Sequence, residues 1–355
     1  MKKISIFLML LSLYINIISC KQKTIENHKF EWDAGASSPE HYPAEPVYVS
    51  FTAANGSRTT TPGMAISGTN PWGENGISSS RSDNLKALPV KLDIKWLSYA
   101  EDQFYTGSFD LPYDKILTLF QKGYEQRINS DSTNHIPYTD IIAGMAPGGL
   151  VVVWVKGLDG SAIEVAHYQA SKTKMDPETF TYALGSELKV SSVYVRETLG
   201  EERVKYIAKH SIPLGLWNTY RERFNWHPVI HFDQSPKVEP KELTLVYSNG
   251  EQEKLFSKDI TENPFRMRAR LKEIDIDWAI TDPESQMQSN FWAPIKFDET
   301  EMLRAYSEAY ENDPNQPAEL LIDIDRTNMH YRCYLLTKGK KIELKKMQGD
   351  IQTNA

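Results

Sequence analysis

Two short stretches, Leu92-Asp-Ile-Lys-Trp96 and Ile274-Asp-Ile-Asp-Trp278, share one pattern and are identical at three of five positions. Apolar and charged residues alternate in both, which is typical of a β-strand that buries one face. Further strand-like sequence follows each stretch, and then a helix pattern and a strand that begins with proline. The chain therefore contains an internal repeat of strands, helix and strand.

The helix patterns lie at 111–124 and after Asp298, where Asp298 and Glu301 form a capping box. Pro137 and Pro317 begin the strands that follow. These patterns predict an α+β fold with two related units, each an antiparallel sheet covered by a helix, joined by a helical connector. The alternative is that the two repeats are similar by chance, because the positions that match are only those expected to be buried.

The same patterns predict five segments along the chain. They are a lipoprotein signal peptide at 1–19, a tether at 20–29, a first unit at 30–172, the helical connector at 173–225 and a second unit at 226–355.

The N-terminal segment carries the clearest functional signal. Lys2 and Lys3 precede an apolar run that ends at Ser19 and Cys20, which is the layout of a bacterial lipoprotein signal peptide. We expect Cys20 to carry the lipid, so that acyl chains hold the protein at a membrane. The alternative is an ordinary secreted protein with a coincidental cysteine. Because Lys21 opens a segment that is not acidic, we expect the periplasmic face of the outer membrane rather than the cell surface.

Charge and cysteine content narrow the possible partners. The chain has 40 Lys and Arg against 47 Asp and Glu, a formal net charge of −7, so nucleic acid is not an expected partner. The two cysteines are Cys20 and Cys333. Since lipidation uses the first, no intramolecular disulfide is expected. Cys333 lies in a β-rich run and is interpreted as a core residue, the alternative being a reactive thiol.

Common catalytic motifs are absent from the sequence. It contains no Gly-Xaa-Ser-Xaa-Gly, no His-Glu-Xaa-Xaa-His, no phosphate-binding Gly-Lys-Ser/Thr and no Cys-Xaa-Xaa-Cys. We therefore expect no cofactor and favour a protein without catalytic activity. A catalytic site assembled from distant residues stays open.

A loop rich in glycine and asparagine, 67–77, is inserted in the first repeat and absent from the second. Loops of this kind often carry recognition on a rigid scaffold, so Asn70, Trp72, Glu74 and Asn75 form the candidate partner-binding site. The alternative is that Trp72 folds back and caps the sheet.

A weak candidate metal site consists of His227, His231 and Asp233, whose alternating spacing can place side chains on one strand face. The alternative is a polar strand face with His231 hydrogen-bonded to a neighbour.

A second candidate metal site is a carboxylate cluster. Asp275 and Asp277 on one strand and Asp323 and Asp325 on another would form a calcium site if the two strands paired. The alternative is two solvated sheet faces.

Several motifs resemble those of a family of bacterial lipoproteins known as domain of unknown function 2931. They are Phe30-Glu-Trp-Asp33, His41-Tyr-Pro43, Pro71-Trp-Gly73, Leu92-Asp-Ile-Lys-Trp96, Phe109-Asp-Leu-Pro112, Ala146-Pro-Gly-Gly-Leu-Val-Val-Val-Trp154 and Tyr220-Arg-Glu-Arg-Phe-Asn-Trp226. The resemblance covers Phe30 to about Asp233. It implies a lipid anchor, an envelope location in Bacteroidota and no established catalytic residue.

Together these observations favour a lipid-anchored envelope protein that binds another protein as an immunity or adaptor factor. The alternatives are an envelope hydrolase or metal-dependent enzyme, and a glycan-binding lipoprotein that uses exposed tryptophans.

Overall fold

A computed structural model shows a mostly β protein, with 51% of the described residues in strands and 16% in helices. The structure describes residues 28–66, 68, 70–79, 84–129, 132–175, 200–233, 238, 240–282 and 284–354. Within these residues the chain forms two compact units. The first unit holds the chain up to Tyr124, His135–Leu158 and Glu164–Pro213, and the second unit holds Glu125–Asn134, Asp159–Ile163 and the chain from Leu214.

The described strands and helices are numbered in chain order. The strands up to residue 175 are β1 (Lys29–Phe30), β2 (Asp33–Ser37), β3 (Ala44–Ala53), β4 (Arg58–Thr60), β5 (Ile77–Ser78), β6 (Lys86–Ala87), β7 (Pro89–Ser98), β8 (Gln103–Asp110), β9 (Tyr124–Asn129), β10 (Ser132–Ile136), β11 (Asp140–Ala146), β12 (Leu150–Lys156), β13 (Ala162–Gln169) and β14 (Ser171–Thr173). Those that follow are β15 (Phe224–Phe232), β16 (Pro240–Tyr247), β17 (Gln252–Phe256), β18 (Arg266–Arg268), β19 (Leu271–Thr281), β20 (Gln288–Phe297), β21 (Ala318–Ile324), β22 (Tyr331–Thr337), β23 (Lys340–Leu344), β24 (Met347–Gln348) and β25 (Gln352–Asn354). The helices are α1 (Tyr113–Lys122), α2 (Glu201–His210), α3 (Leu216–Tyr220), α4 (Lys258–Thr261) and α5 (Glu299–Ala309).

The first unit is built on two sets of paired strands. Sheet A has the order β4-β3-β7-β8-β14, and sheet B has the order β5-β2-β11-β12-β13. Strands β2 and β11 are parallel, whereas β3 and β7 are antiparallel. The ring of Trp32, next to β2, meets the ring of Phe51 on β3 edge-on at 6.0 Å. The two sheets therefore share one apolar interior.

The second unit has the same plan. Sheet C has the order β17-β16-β19-β20, with β24 and β25 also paired to β20, and sheet D has the order β18-β15-β21-β22-β23. Strands β15 and β21 are parallel, as β2 and β11 are in the first unit. Trp226 of sheet D lies 6.2 Å from Tyr247 of sheet C, between ring centroids, and both belong to one continuous core.

The strand connections also correspond between the units. In each unit two long antiparallel strands and a helix lie between a first and a last hairpin. The strand before the first hairpin, β2 or β15, pairs in parallel with the first strand of the last hairpin, β11 or β21. The predicted strands containing Leu92 and Ile274 are confirmed as parts of β7 and β19. The Asp298 cap of the second helix is confirmed as well, because its side chain accepts the Glu301 amide at 2.8 Å.

Tryptophan forms much of the interior. Trp96, Trp154 and Trp278, which the sequence placed in strands, are at most 1% exposed, and Trp226 is fully buried with them. Truncating a buried tryptophan typically costs about 3–5 kcal/mol, so each of these rings is a major contributor to stability.

The predicted α+β fold with helix-covered sheets is wrong, because the protein is mostly β and each unit pairs one set of strands with another. An alternating strand shows that one face is buried, but it does not show whether a helix or a second sheet buries it. The helices α1 and α5 each bury only one apolar face in the core of their unit. This face includes Ile116 in the first unit and Tyr306 in the second.

The segment predicted as a helical connector, 173–225, is described in part. It contains α2 and α3, and the boundary between the compact units falls at residues 213 and 214. Residues 176–199 of this segment lie outside the described residues, as do the signal peptide and Cys20.

Candidate functional site

The inserted loop of the first unit closes over sheet B of that unit. Trp72 is 7% exposed, and its ring meets the ring of Trp154 edge-on at 4.9 Å. Gly144 on β11 makes this approach possible, because a Cβ at that position would lie 2.4 Å from the Trp154 ring and 2.6 Å from the Trp72 ring. Trp72 is therefore part of the interior of the first unit.

Polar contacts of the residues that follow Trp72 hold the loop on sheet B. The Asn75 amide donates to Asp140 Oδ1 at 3.1 Å, and Glu74 forms an ion pair with Lys156. The Gly73 amide donates to Ser37 Oγ at 3.2 Å. Each contact ends on β2, β11 or β12, so the loop is tied to the three central strands of sheet B.

A charged row lies beneath the loop. Asp33, Asp140 and Lys156 are direct neighbours across β2, β11 and β12, and Asp33 and Lys156 are buried. Lys86 donates to Asp33 at 3.0 Å. Because these charges pair with one another and with the loop, the row fastens the loop to the sheet.

The four residues predicted as a partner-binding loop are thus placed as follows. Trp72 faces inward, Glu74 and Asn75 bind sheet B, and Asn70 is exposed while its amide donates to the Asn75 carbonyl at 3.1 Å. Partner binding by this loop stays a prediction, and Asn70, Pro71 and Gly76 are the exposed positions among its described residues.

In the first unit the loop covers the outer face of sheet B. The corresponding face in the second unit is the outer face of sheet D. In strand register, His227, Val229 and His231 on β15 take the places that Asp33, Gly35 and Ser37 have on β2. We call this surface the open face. It consists of His227, Val229, His231, Glu319, Leu321, Asp323, Arg332, Tyr334, Leu336, Lys341 and Glu343, with Phe265 and Met267 beside β15.

The centre of the open face is apolar. Val229, Leu321 and Tyr334 are direct neighbours across β15, β21 and β22, where Val229 and Leu321 are half-buried and Tyr334 is 9% exposed. Phe265 and Met267 extend the apolar surface to the sheet edge and are each 43% exposed. The Phe265 ring packs on His227 at 4.0 Å between centroids. Exposed apolar patches with polar rims are typical of protein interfaces.

Charged groups form the rim. His231 is 60% exposed, and its Nδ1 lies 2.7 Å from Asp323 Oδ1. Lys341 Nζ lies 4.0 Å from the centroid of the Tyr334 ring, the geometry of a cation–π contact. Arg332 is exposed and lies opposite Asp323 on the neighbouring strand.

The first candidate metal site is not assembled. His227 and His231 lie four residues apart on one extended strand, which separates them by about 13 Å. His227 Nδ1 contacts the Asn263 carbonyl at 2.7 Å, while His231 contacts Asp323. Within the described residues no three His, Cys, Asp or Glu side chains are grouped closely enough to hold a metal ion.

The calcium prediction required two strands to pair, and they do not. Asp275 and Asp277 lie on β19 of sheet C, whereas Asp323 lies on β21 of sheet D and Asp325 lies in the turn after that strand. Asp323 instead contacts His231, and Asp325 Oδ1 accepts the backbone amide of Thr327 at 3.1 Å within a turn. These carboxylates therefore have local structural partners.

Burial raises the pKa values of Asp275 and Cys333. Burial, with the neighbouring charges of Glu273 and Asp277, raises the pKa of Asp275 to about 6. Burial also raises the pKa of the Cys333 thiol, which is fully buried in the core of the second unit. A thiol kept protonated is a poor nucleophile, which agrees with the core interpretation of Cys333.

The open face was not predicted from the sequence. A signal is nevertheless present in β21, where Leu320, Leu321 and Ile322 are consecutive, so one apolar residue must point away from the core. The same holds for Tyr334, Leu335 and Leu336 of β22.

Residues 19–215 match the family described as protein of unknown function (DUF2931), and the chain belongs to this family. No curated protein and no solved structure matches the chain. The family match ends at residue 215, next to Leu214, where the longest segment of the second unit begins, so the open face lies C-terminal to the matched region.

Proposed function

We propose that this protein is a lipid-anchored protein of the bacterial cell envelope that binds another protein, in an immunity or adaptor role. The observation that carries the binding function is the open face, a sheet surface with an apolar centre and a charged rim in the second unit. Single exposed apolar residues are ordinary on protein surfaces, but contiguous ones are typical of interaction sites.

The anchor in this proposal is the lipid on Cys20, placed at the periplasmic face of the outer membrane. Its support is the order of lysines, apolar run, Ser19 and Cys20 in the sequence. None of the helices in the described part of the chain has the length and hydropathy needed to cross a bilayer.

The location is tested by fractionation. The Cys20→Ala variant is expected to leave the membrane fraction, whereas the unaltered protein remains with outer-membrane markers and is protected from protease in intact cells. A variant that stays in the membrane fraction would refute lipid anchoring at Cys20. Degradation of the unaltered protein in intact cells would refute the periplasmic face.

Partner binding is tested by crosslinked affinity capture from membranes of the producing cells. The full-length protein is compared with Leu321→Lys on the open face and with Leu85→Lys, a matched control at an exposed leucine of the first unit. We expect one stoichiometric protein partner with the unaltered chain and with Leu85→Lys, and its loss with Leu321→Lys. Equal recovery with all three proteins would refute the open face as the binding surface. Absence of any partner would refute the binding function.

A further inference from the structure

We propose that Asn55 is a site of spontaneous deamidation in the folded protein, promoted by Ser57. The modification converts the asparagine to aspartate or isoaspartate. It adds a negative charge to the turn between β3 and β4, and isoaspartate also adds a methylene to the backbone there. This chemistry is separate from partner binding.

The reaction needs no reactant other than water. The backbone nitrogen of the residue after asparagine attacks the side-chain Cγ and forms an N–Cγ bond, and the side-chain amide takes up the proton of that nitrogen and leaves as ammonia. Water then opens the resulting five-membered succinimide at either carbonyl, which gives aspartate or isoaspartate. A following glycine favours the attack because it has no Cβ to hinder the nitrogen. The rate depends on how the fold holds the two reacting groups, since both belong to one chain.

The chain contains three Asn-Gly pairs, Asn55-Gly56, Asn75-Gly76 and Asn249-Gly250. The first and third lie in equivalent hairpin turns of the two repeats. The Gly56 amide donates to the Ala53 carbonyl at 2.9 Å and the Gly250 amide to the Tyr247 carbonyl at 3.1 Å, and both glycines have positive φ. The same turn therefore occurs twice, and only its surroundings differ.

Asn55 is exposed and has its side-chain oxygen held by hydrogen-bond donors. The Ser57 amide donates to Asn55 Oδ1 at 3.0 Å and the Ser57 hydroxyl at 2.7 Å. Negative charge develops on Oδ1 as the Gly56 nitrogen attacks, so these two donors stabilise the intermediate. No described atom lies within 4 Å of a Cβ built on Gly56, which leaves room for the ring. The bond from Gly56 to Ala53 must open first, and such openings cost least at exposed hairpin tips.

Asn249 is protected although its turn is the same. Its side chain is fully buried, and its amide nitrogen, the group that would leave, donates to Glu251 Oε2 at 3.0 Å. Arg223 holds the same carboxylate oxygen at 2.8 Å. Deamidation at this position therefore requires local unfolding of the turn.

Asn75 is protected by its contacts with sheet B. Its amide nitrogen donates to Asp140 at 3.1 Å, and the attacking nitrogen of Gly76 donates to the Ala36 carbonyl at 2.9 Å. Asn75 Oδ1 is buried and has no donor among the described residues, so nothing there stabilises a developing negative charge. Of the three pairs, only Asn55-Gly56 combines exposure with donors on Oδ1.

The test incubates the full-length protein in detergent in warm, mildly alkaline buffer over days. Peptides from acidic proteolysis are then separated and identified by mass spectrometry, which resolves asparagine, aspartate and isoaspartate. In the folded protein we expect deamidation at Asn55 to be roughly tenfold or more faster than at Asn75 and Asn249, with isoaspartate among the products. In urea, where the fold no longer distinguishes the sites, we expect comparable rates at all three.

Equal rates at the three sites in the folded protein would overturn the proposal, and so would the same ranking in urea, because sequence alone would then set it. Aspartate without isoaspartate would exclude the cyclic intermediate. Ser57→Ala tests the promoting group: we expect Asn55 to react roughly threefold more slowly in the folded variant and at an unchanged rate in urea. An unchanged rate in the folded variant, with an unaltered circular dichroism spectrum, would refute the role of Ser57.

Discussion

The burial of Trp72 predicts a stability defect that a solvent-facing recognition loop would not produce. We consider Trp72→Ala, which removes the indole between the loop and Trp154. The 7% exposure of Trp72 means that nearly the whole side chain is withdrawn from water. A tryptophan buries about 200 Å², and at about 25 cal/mol per Å² this corresponds to an upper estimate of about 5 kcal/mol.

One structural feature lowers this figure. Within the described residues, Trp72 Nε1 is buried and has no hydrogen-bond partner, so truncation also removes a group that costs about 1–3 kcal/mol to bury. The expected loss in free energy of unfolding is therefore about 3 kcal/mol. It should concentrate in the first unit, because the contacts of Trp72 are to β11 and β12.

The assay combines urea unfolding, followed by circular dichroism, with hydrogen exchange read by mass spectrometry. We expect faster exchange in peptides that cover β11, β12 and the loop, and little change in the second unit. Pro71→Ala, at the exposed neighbouring position, is the control and should change stability by less than about 0.5 kcal/mol. A Trp72→Ala protein as stable as the control, with unchanged exchange in β11 and β12, would refute the reasoning.

Three further predictions follow from single positions. Gly144→Ala should destabilise the first unit by about 1–3 kcal/mol, because its Cβ would clash with two tryptophan rings, and urea unfolding checks this. Asp275 has a pKa raised from 3.8 to about 6, so its charged form opposes folding and stability falls as pH rises through that range. Because Asp275 is only partly buried, Asp275→Asn should gain only about 1 kcal/mol at pH 7 and little at pH 4, and a pH-independent effect would contradict this assignment. The Cys333 thiol should react with a thiol reagent only after denaturant is added, and rapid labelling of the folded protein would contradict its burial.

Much of the strand pattern was predictable because it depends on local alternation. The strands around Leu92 and Ile274 follow from apolar periodicity, and the structure confirms them. The layer that covers these strands was not predictable in the same way. A half-buried strand has the same pattern under a helix and under another sheet, so the helix-covered arrangement was inferred wrongly.

The functional surface was harder to predict for a related reason. Trp72 suggested an exposed recognition loop, yet the two glycines beneath it, Gly35 and Gly144, give the loop space to pack inward. The open face depends on pairing between β15 and β21, strands nearly 90 residues apart in the sequence. Only this pairing brings Val229 next to Leu321, and no local pattern indicates it.

The central claim is that the open face contacts another protein in the cell. The most direct measurement places a photo-crosslinking amino acid at Leu321 of the full-length protein and, separately, at Lys172 as the control position. After irradiation of intact cells, we expect one discrete protein adduct from position 321 and none of that mass from position 172. The same adduct from both positions, or no adduct from position 321, would contradict the account.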